Sequence, residues 1–317
     1  MSSNRKVIVL GINGHIGNAV ARAFLAAGYE VDGFGRSNRQ PIAGVNFIKG
    51  DAGDVEAMRT AIGDTELVFN ALNLPYHQWD NGRKEAQTER VIAALGKSGR
   101  TLLFPGNIYN YAATDRLVTP DLAQHPQTPR GEIRVRVENL YRDAARRGAI
   151  QVLLLRAGDF FGPGSRDDWF DLAMMREVAR GKVGLMGAWG IGHAWAYLPD
   201  LARAFVRLAE ERGRLGRFEN FHFAGHYVTP DEMRDAIAAV APAGTRIGLV
   251  PRWLFPIVGL VDPMMREVAR MGYLWDNPME LADPRFDALL GPGFGTPFGE
   301  AVAATVAPFF ATSRAAA

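Results

Sequence analysis

Lys6 to Val20 reads Lys-Val-Ile-Val-Leu-Gly-Ile-Asn-Gly-His-Ile-Gly-Asn-Ala-Val, and this stretch constrains the fold more than any other. The apolar run Val7–Leu10 predicts a buried strand, and apolar residues at Ile16, Val20, Phe24 and Leu25 predict a helix directly after it. Gly11, Gly14 and Gly17 fall in the turn between the two. In such a turn one glycine allows the tight bend, one lets backbone approach a pyrophosphate, and one lets the helix pack on the strand. The helix N-terminus adds free N–H groups and partial positive charge. Gly11, Asn13, Gly14, His15, Ile16 and Gly17 are therefore expected to line a dinucleotide. The competing reading is a glycine turn with no ligand.

The remaining composition narrows the function classes. Of the 317 residues, 48% are hydrophobic and 22% charged, as in ordinary globular domains. A net charge of +2 without a long basic run points away from nucleic acid. The absence of cysteine removes disulfides, thiol nucleophiles and cysteine zinc sites. The apolar stretch Trp253–Val261 is interrupted by Pro256 and too short to span a bilayer. A strand that starts almost at the N-terminus leaves little room for a secretory signal, so a cytoplasmic protein without membrane attachment is expected. The short tail Ala315–Ala317 is the one compositionally biased segment.

The Gly-x-x-Gly-x-x-Gly spacing resembles the extended short-chain dehydrogenase/reductases. Alternating strands and helices through residue 157 agree with this and predict an α/β, Rossmann-type, doubly wound parallel sheet. The second strand, Tyr29–Phe34, ends in Gly35-Arg36-Ser37-Asn38-Arg39. Gly35 stands where an acid would select NAD, and Asp32 lies mid-strand. Arg36, Ser37 and Arg39 instead offer cations and a hydroxyl to the extra phosphate of NADP, so NADP is expected over NAD. A solvated loop is the alternative. Val45–Lys49 predicts the third strand, Asp54 the cap of a helix Val55–Ile62, and Leu67–Asn70 the fourth strand. Asp51, with Ala52 beside it, is a candidate acceptor for the adenine amino group or a plain turn residue. Asn70-Ala71-Leu72-Asn73 resembles the family's Asn-Ala-Ala-Gly stretch, which implies backbone lying along the cofactor. One long helix is expected from Tyr76 to Ser98, and a fifth strand over Thr101–Phe104.

In the family, the fifth strand leads into a serine-rich stretch and Val-Tyr-Gly, and a Tyr-x-x-x-Lys pair follows. The tyrosine moves the proton. A phenol with a pKa of about 10 needs a cation beside it to do so near neutrality. Here Ile108-Tyr109-Asn110 matches Val-Tyr-Gly, while Pro105, Gly106 and Asn107 stand in the serine positions along the cofactor. Measured back from Glu138, Arg134 falls in the lysine place and Arg130 in the tyrosine place. Arginine stays charged and barely exchanges protons. Leu155-Arg156 with Gly162-Pro163-Gly164, and His193 to Ala204, also resemble family segments. The resemblance thus runs from about Lys6 to Val240 and identifies an atypical member, epimerase/dehydratase-like, without the family tyrosine.

Three functions follow. The first is an NADPH-dependent reductase of a small, apolar carbonyl substrate. In this reading Tyr109, Tyr111, Asn107, Arg130, Arg134 and His193 are candidates to bind the oxygen or move the proton. The second is a non-catalytic NADP-binding redox sensor or partner-binding protein. The third is a sugar-nucleotide epimerase or dehydratase, which the missing tyrosine disfavours. The expected domains are a dinucleotide-binding part over 1–157, rejoined by about 193–228, and a smaller, mostly helical substrate lobe over 158–192 and 229–317. That lobe is rich in Trp, Phe and Met (Phe161, Trp169, Phe170, Met186, Trp275), which suits either an apolar pocket or a core. No metal site is expected. A homodimer through the helices near 76–98 and 130–147 is the expected assembly.

Overall fold

The computed structural model describes residues 5–164 and 168–315. It divides into two compact units, one of Met1–Gly106, Pro129–Arg156 and Ala202–Phe221, the other of Asn107–Thr128, Ala157–Leu201 and His222–Ala317. The last two residues of the alanine tail lie outside the described residues.

The first unit is built on a seven-stranded sheet. The chain supplies β1 (Lys6–Leu10), α1 (His15–Ala26), β2 (Glu30–Gly35), β3 (Val45–Lys49), α2 (Val55–Ile62), β4 (Leu67–Asn70), α3 (Arg83–Leu95), β5 (Thr101–Gly106) and α4 (Pro129–Arg146). Strands Gln151–Arg156 and Phe218–His222 complete it, and the spatial order is Phe218–His222, Gln151–Arg156, β5, β4, β1, β2, β3. β1 pairs in parallel with both β2 and β4, so the order reverses at β1 and leaves a crevice at its carboxyl end.

The strands are apolar on both faces because helices cover both. On one face Ile8, Leu10, Val68 and Phe104 join Met58 of α2, Val91 and Leu95 of α3, and Val137 and Tyr141 of α4 in one buried cluster. On the other, Phe69 meets Phe205 edge-on at 4.9 Å. Each such fully buried large side chain contributes about 2 kcal/mol. α2 begins where expected, with the Asp54 carboxylate accepting from the N–H groups of Glu56 and Ala57.

Three expectations need correction. The helix expected over Tyr76–Ser98 is a 3₁₀ turn, Tyr76–Gln78, followed by α3. Asn81 (φ 58°) and Gly82 (φ 72°) are left-handed, a conformation no helix propagates through. The fifth strand runs on to Gly106 because Pro105, which lacks an N–H, still pairs in register with Leu155. The continuous run Val152–Phe161 is two strands, broken at Ala157-Gly158.

The second unit is mixed. Strands Asp159–Phe161, His193–Tyr197 and His226–Val228 form one small sheet, and Lys182–Leu185 pairs with Arg246–Leu249. A Cβ on Gly158 would lie 2.1 Å from the Ala194 carbonyl oxygen, so only glycine lets this chain approach the central strand so closely. Thr229 opens the helix Pro230–Ala238 with a full capping box, its hydroxyl and the Glu232 carboxylate serving each other's backbone. Further on the chain forms a 3₁₀ turn, Arg252–Leu254, and the helices Phe255–Val258 and Pro263–Arg270. Most of the aromatic and methionine residues form core: Phe161, Phe170, Met174, Met175, Met186, Trp195 and Trp275 are buried, while Trp189 and Trp253 are exposed. No described helix is long and apolar enough to cross a membrane.

Candidate functional site

The turn between β1 and α1 is assembled almost wholly from backbone. Gly11 has φ +84°, and a Cβ there would stand 3.0 Å from the Ala71 carbonyl carbon. Its N–H donates to the Phe34 carbonyl, and its own carbonyl accepts from Gly14 at 3.1 Å. A Cβ on Gly17 would lie 2.5 Å from the Gly11 oxygen, so the helix sits against the turn at a distance only glycine permits. Gly14 caps α1 without any side-chain hydrogen bond, and the first turn of α1 carries no acid. The nearest atom to a Cβ on Gly14 is the Gly11 oxygen at 3.5 Å, so the approach to the helix end is open. These features fit a pyrophosphate: open amide donors, a positive helix end and no competing carboxylate.

β4 closes one side. Ala71 N–H donates to the Leu10 carbonyl at 2.8 Å, the Asn70 carboxamide accepts from Leu72 N–H, and its NH₂ donates to the Tyr141 hydroxyl at 2.8 Å. Asn70 and Tyr141 are both buried, and burial pushes the Tyr141 phenol well above its ordinary range. Tyr141 therefore serves as a fixed anchor for the Asn70–Leu72 backbone, not as an acid.

β2 ends in the exposed loop Arg36, Ser37, Asn38, Arg39. Asn13 bridges the glycine turn to it: its NH₂ donates to the Ser37 carbonyl at 2.5 Å and its oxygen accepts from Arg39 N–H at 3.0 Å. The Arg39 guanidinium reaches the Ser37 hydroxyl at 3.3 Å. Asp32 is buried within β2 and engaged by Lys6 at 3.0 Å and Asn46 at 2.8 Å, a structural role away from the strand's end. The Asp51 carboxylate accepts from Gly53 N–H at 2.8 Å, as a turn residue does, yet stays exposed. Ala52 packs against the core.

At the start of α4, both arginines point inward. Arg130 is 1% exposed and forms a two-pronged pair with Asp80 at 2.8 and 2.9 Å. Arg134 donates to the Pro105 carbonyl at 3.0 Å, its guanidinium lying over Phe104 at 5.2 Å and Trp79 at 5.7 Å. Lys84 is buried beside this group and donates to the Leu72 carbonyl at 3.1 Å and to Gln87 at 2.8 Å. Burial, reinforced by Arg134, holds the Lys84 ammonium well below the usual lysine range. One turn on, Glu138 and Arg156 form a fully buried bidentate pair at 3.1 and 2.8 Å. A Cβ on Gly106 would press within 2.7 Å of Leu154, which explains a glycine at the end of β5.

In the second unit, the Asn107 side chain accepts from Tyr109 N–H at 3.3 Å, and Tyr109 is buried. Tyr111 is fully buried, its hydroxyl 3.5 Å from the His222 ring. His193 lies 2.7 Å from the Asp159 carboxylate through Nε2 and 3.2 Å from the Leu274 carbonyl through Nδ1, stacked on Trp275 at 4.0 Å. It borders a cavity of about 10 Å³, lined also by Met174, Met186, Trp195 and Met233.

Reasoning from sequence missed Asp80, Lys84, Trp79, Tyr141 and Asp159. Lys84, Gln87 and Thr88 did carry a signal, since they share the inward face of α3 with Val91 and Leu95. Among the described residues no acid and histidine cluster could hold a metal ion.

Residues 7–222 match the model of the NAD dependent epimerase/dehydratase family. Comparison with curated proteins gave no match. Among solved structures, MoeE5 in complex with UDP-glucose and NAD is similar over 98% of this chain and 100% of that one, with 22% identity and a TM-score of 0.76. The UDP-glucuronic acid 4-epimerase of Bacillus cereus, in complex with UDP-glucuronic acid and NAD, shows 16% identity over 96% and 98%, with a TM-score of 0.73. The Bordetella bronchiseptica enzyme WbmH, in complex with NAD+, shows 21% identity over 96% and 98%, with a TM-score of 0.71.

Proposed function

The chain belongs to the NAD dependent epimerase/dehydratase family, and from that premise we propose that it binds a nicotinamide dinucleotide at the β1–α1 turn and catalyses hydride transfer on a small hydroxyl- or carbonyl-bearing substrate. The observation that carries this is the intact turn. Gly14 leaves the end of α1 uncapped by any side chain, and Gly11 and Gly17 keep the backbone open to an anion. When bound, the dinucleotide supplies hydride acceptance or donation. The chain's own residues bind and orient it. The amides of the first turn of α1 take the pyrophosphate, and the Asn70–Leu72 backbone, braced by Tyr141, lies along it. Arg36, Ser37 and Arg39, with no acid at Gly35, favour NADP over NAD.

For the substrate, the comparisons favour a sugar nucleotide over the apolar carbonyl expected from sequence. MoeE5 is in complex with UDP-glucose and NAD, and the Bacillus cereus epimerase with UDP-glucuronic acid and NAD, and the second unit's aromatic residues are largely spent on its own core. The arginines at the tyrosine and lysine places favour a different second reading, a dinucleotide-binding protein without turnover. Arg130 is committed to Asp80 and Arg134 to the Pro105 carbonyl, and neither is a proton carrier.

One assay separates these readings. The purified protein is incubated with NADP+ or NAD+ and UDP-glucose, UDP-galactose or UDP-glucuronic acid, and with NADPH or NADH and a panel of aldehydes, ketones and quinones. Nucleotide absorbance and sugar products are followed. Conversion of a UDP-sugar supports the proposal in its favoured form, and conversion of a carbonyl alone returns the substrate to the non-sugar class. Tight nucleotide binding with no conversion anywhere overturns catalysis in favour of the second reading.

A further inference from the structure

Asn13 does more than join two loops. Its carboxamide sits where a side chain at position 35 would emerge: a Cβ built on Gly35 would lie 3.0 Å from Asn13 Nδ2 and 3.8 Å from Phe47. The same carboxamide holds Ser37 through its carbonyl and Arg39 through its N–H. With both backbones fixed, the Arg39 guanidinium stays within 3.3 Å of the Ser37 hydroxyl. A guanidinium and a hydroxyl held on one short loop suit a phosphate monoester dianion, which takes several donors at once. An acid at position 35 would serve the opposite purpose, accepting from the hydroxyls of an unphosphorylated ribose.

We propose that Asn13 is a specificity-determining residue for the dinucleotide. It organises the Ser37–Arg39 loop for a 2′-phosphate and at the same time excludes an acid from position 35. The two roles are one device, because the Nδ2 that clamps Ser37 lies 3.0 Å from a Cβ at position 35, and an acid there would push the carboxamide off the loop. Residues 13 and 35 are therefore energetically coupled, and changing cofactor choice requires changing both. This rests on the NADP reading proposed above and deepens it. Asn13 acts through its neighbours, so it is a positioning residue.

The test is a double-mutant cycle on the full chain, with NADPH and NADH titrated calorimetrically into wild type, Asn13→Ala, Gly35→Asp and the double variant. Asn13→Ser serves as a second, smaller perturbation, and thermal melts confirm that each variant is folded. Wild type is expected to bind NADPH more tightly than NADH. Asn13→Ala is expected to weaken NADPH about tenfold while leaving NADH nearly unchanged, the scale of a single charge-assisted hydrogen bond. Gly35→Asp alone is expected to weaken NADPH without strengthening NADH. The double variant is expected to bind NADH about tenfold more tightly than Gly35→Asp does, a non-additivity of the size that touching residues show. If wild type prefers NADPH but the substitutions add independently, or if Gly35→Asp alone gains NADH, the coupling is overturned and the NADP reading stands. Equal loss of both nucleotides in Asn13→Ala and Asn13→Ser also overturns it, since a merely structural residue behaves so. If wild type binds NADH as tightly as NADPH, or binds neither, the NADP reading itself fails and the proposal with it.

Discussion

Two regions of the first unit, the β1–α1 turn and the start of α4, are built in opposite ways. The β1–α1 turn is made of backbone: its contacts are amides, carbonyls and the absence of Cβ atoms at Gly11 and Gly17. The start of α4 is made of side chains, with Arg130 paired to Asp80 and Arg134 laid over Phe104 and Trp79. A backbone cradle tolerates broad change in sequence provided that a few glycines persist. A side-chain site can be remodelled by a single exchange of residue type. The difference teaches that, on the proposed reading, binding and catalysis rest on different kinds of structure: an anion cradle of backbone depends on a few glycines, a proton carrier on one side-chain type.

The contrast can be broken most severely at the cradle. Gly17→Val drives a Cβ to within 2.5 Å of the Gly11 oxygen, where the obstacle is backbone and cannot swing aside. Overpacking of this kind costs about 1–3 kcal/mol, and the turn it distorts is the proposed binding surface. Nucleotide affinity is expected to fall by about ten- to a hundredfold, read by titration alongside thermal melts. Affinity within a factor of two of wild type would mean that the turn does not hold the anion.

At α4 the expected losses are in stability. Glu138→Ala strands the buried Arg156 guanidinium and is expected to cost about 3–5 kcal/mol in urea unfolding. Asp80→Asn removes one charge from a pair whose acid is half exposed but whose arginine is buried. A loss of about 1–3 kcal/mol is expected, with nucleotide affinity unchanged. Unchanged stability with weakened nucleotide binding would instead place Arg130 in the binding site and erase the contrast.

A smaller effect belongs to the second unit. Burial holds the His226 imidazole below its ordinary value, partly offset by Asp200. The unfolded chain therefore takes up this proton at a higher pH than the folded one does. His226's contribution to stability is complete above about pH 6.5 and is lost as the pH falls through that value toward the lower folded one. Urea unfolding at pH 7.5 and 5.5 is expected to show a decline that is shallower in His226→Gln. An identical decline in both proteins would remove His226 as a cause.

The sequence made the scaffold legible where local signals were complete. The ends of β3 and α2, the Asp54 cap, and the Thr229 cap with proline and acids behind it all follow from short-range rules. The parallel, doubly wound sheet followed from the alternation of strands and helices, whereas the spatial order of its strands is read only from the structure. What stayed illegible depends on partners distant in the chain. Arg130 meets an acid fifty residues away, so nothing near it revealed that its guanidinium is bound inward. Tyr111 and His193 looked available for chemistry because their types permit it, yet Tyr111 is fully buried and His193 has both nitrogens engaged. The break before α3 was signalled by the turn dipeptide Asn81-Gly82, both residues of which adopt a positive φ, and the single-helix expectation passed over it.

The most direct measurement is calorimetric titration of the wild-type protein with NADPH and, separately, with NADH. Saturable binding of both, tighter for NADPH, is the predicted result, and it would establish that the cradle binds a nicotinamide dinucleotide with Arg130 and Arg134 at the start of α4. No binding of either nucleotide would contradict the account, leaving the glycine turn as inherited architecture with no ligand to hold.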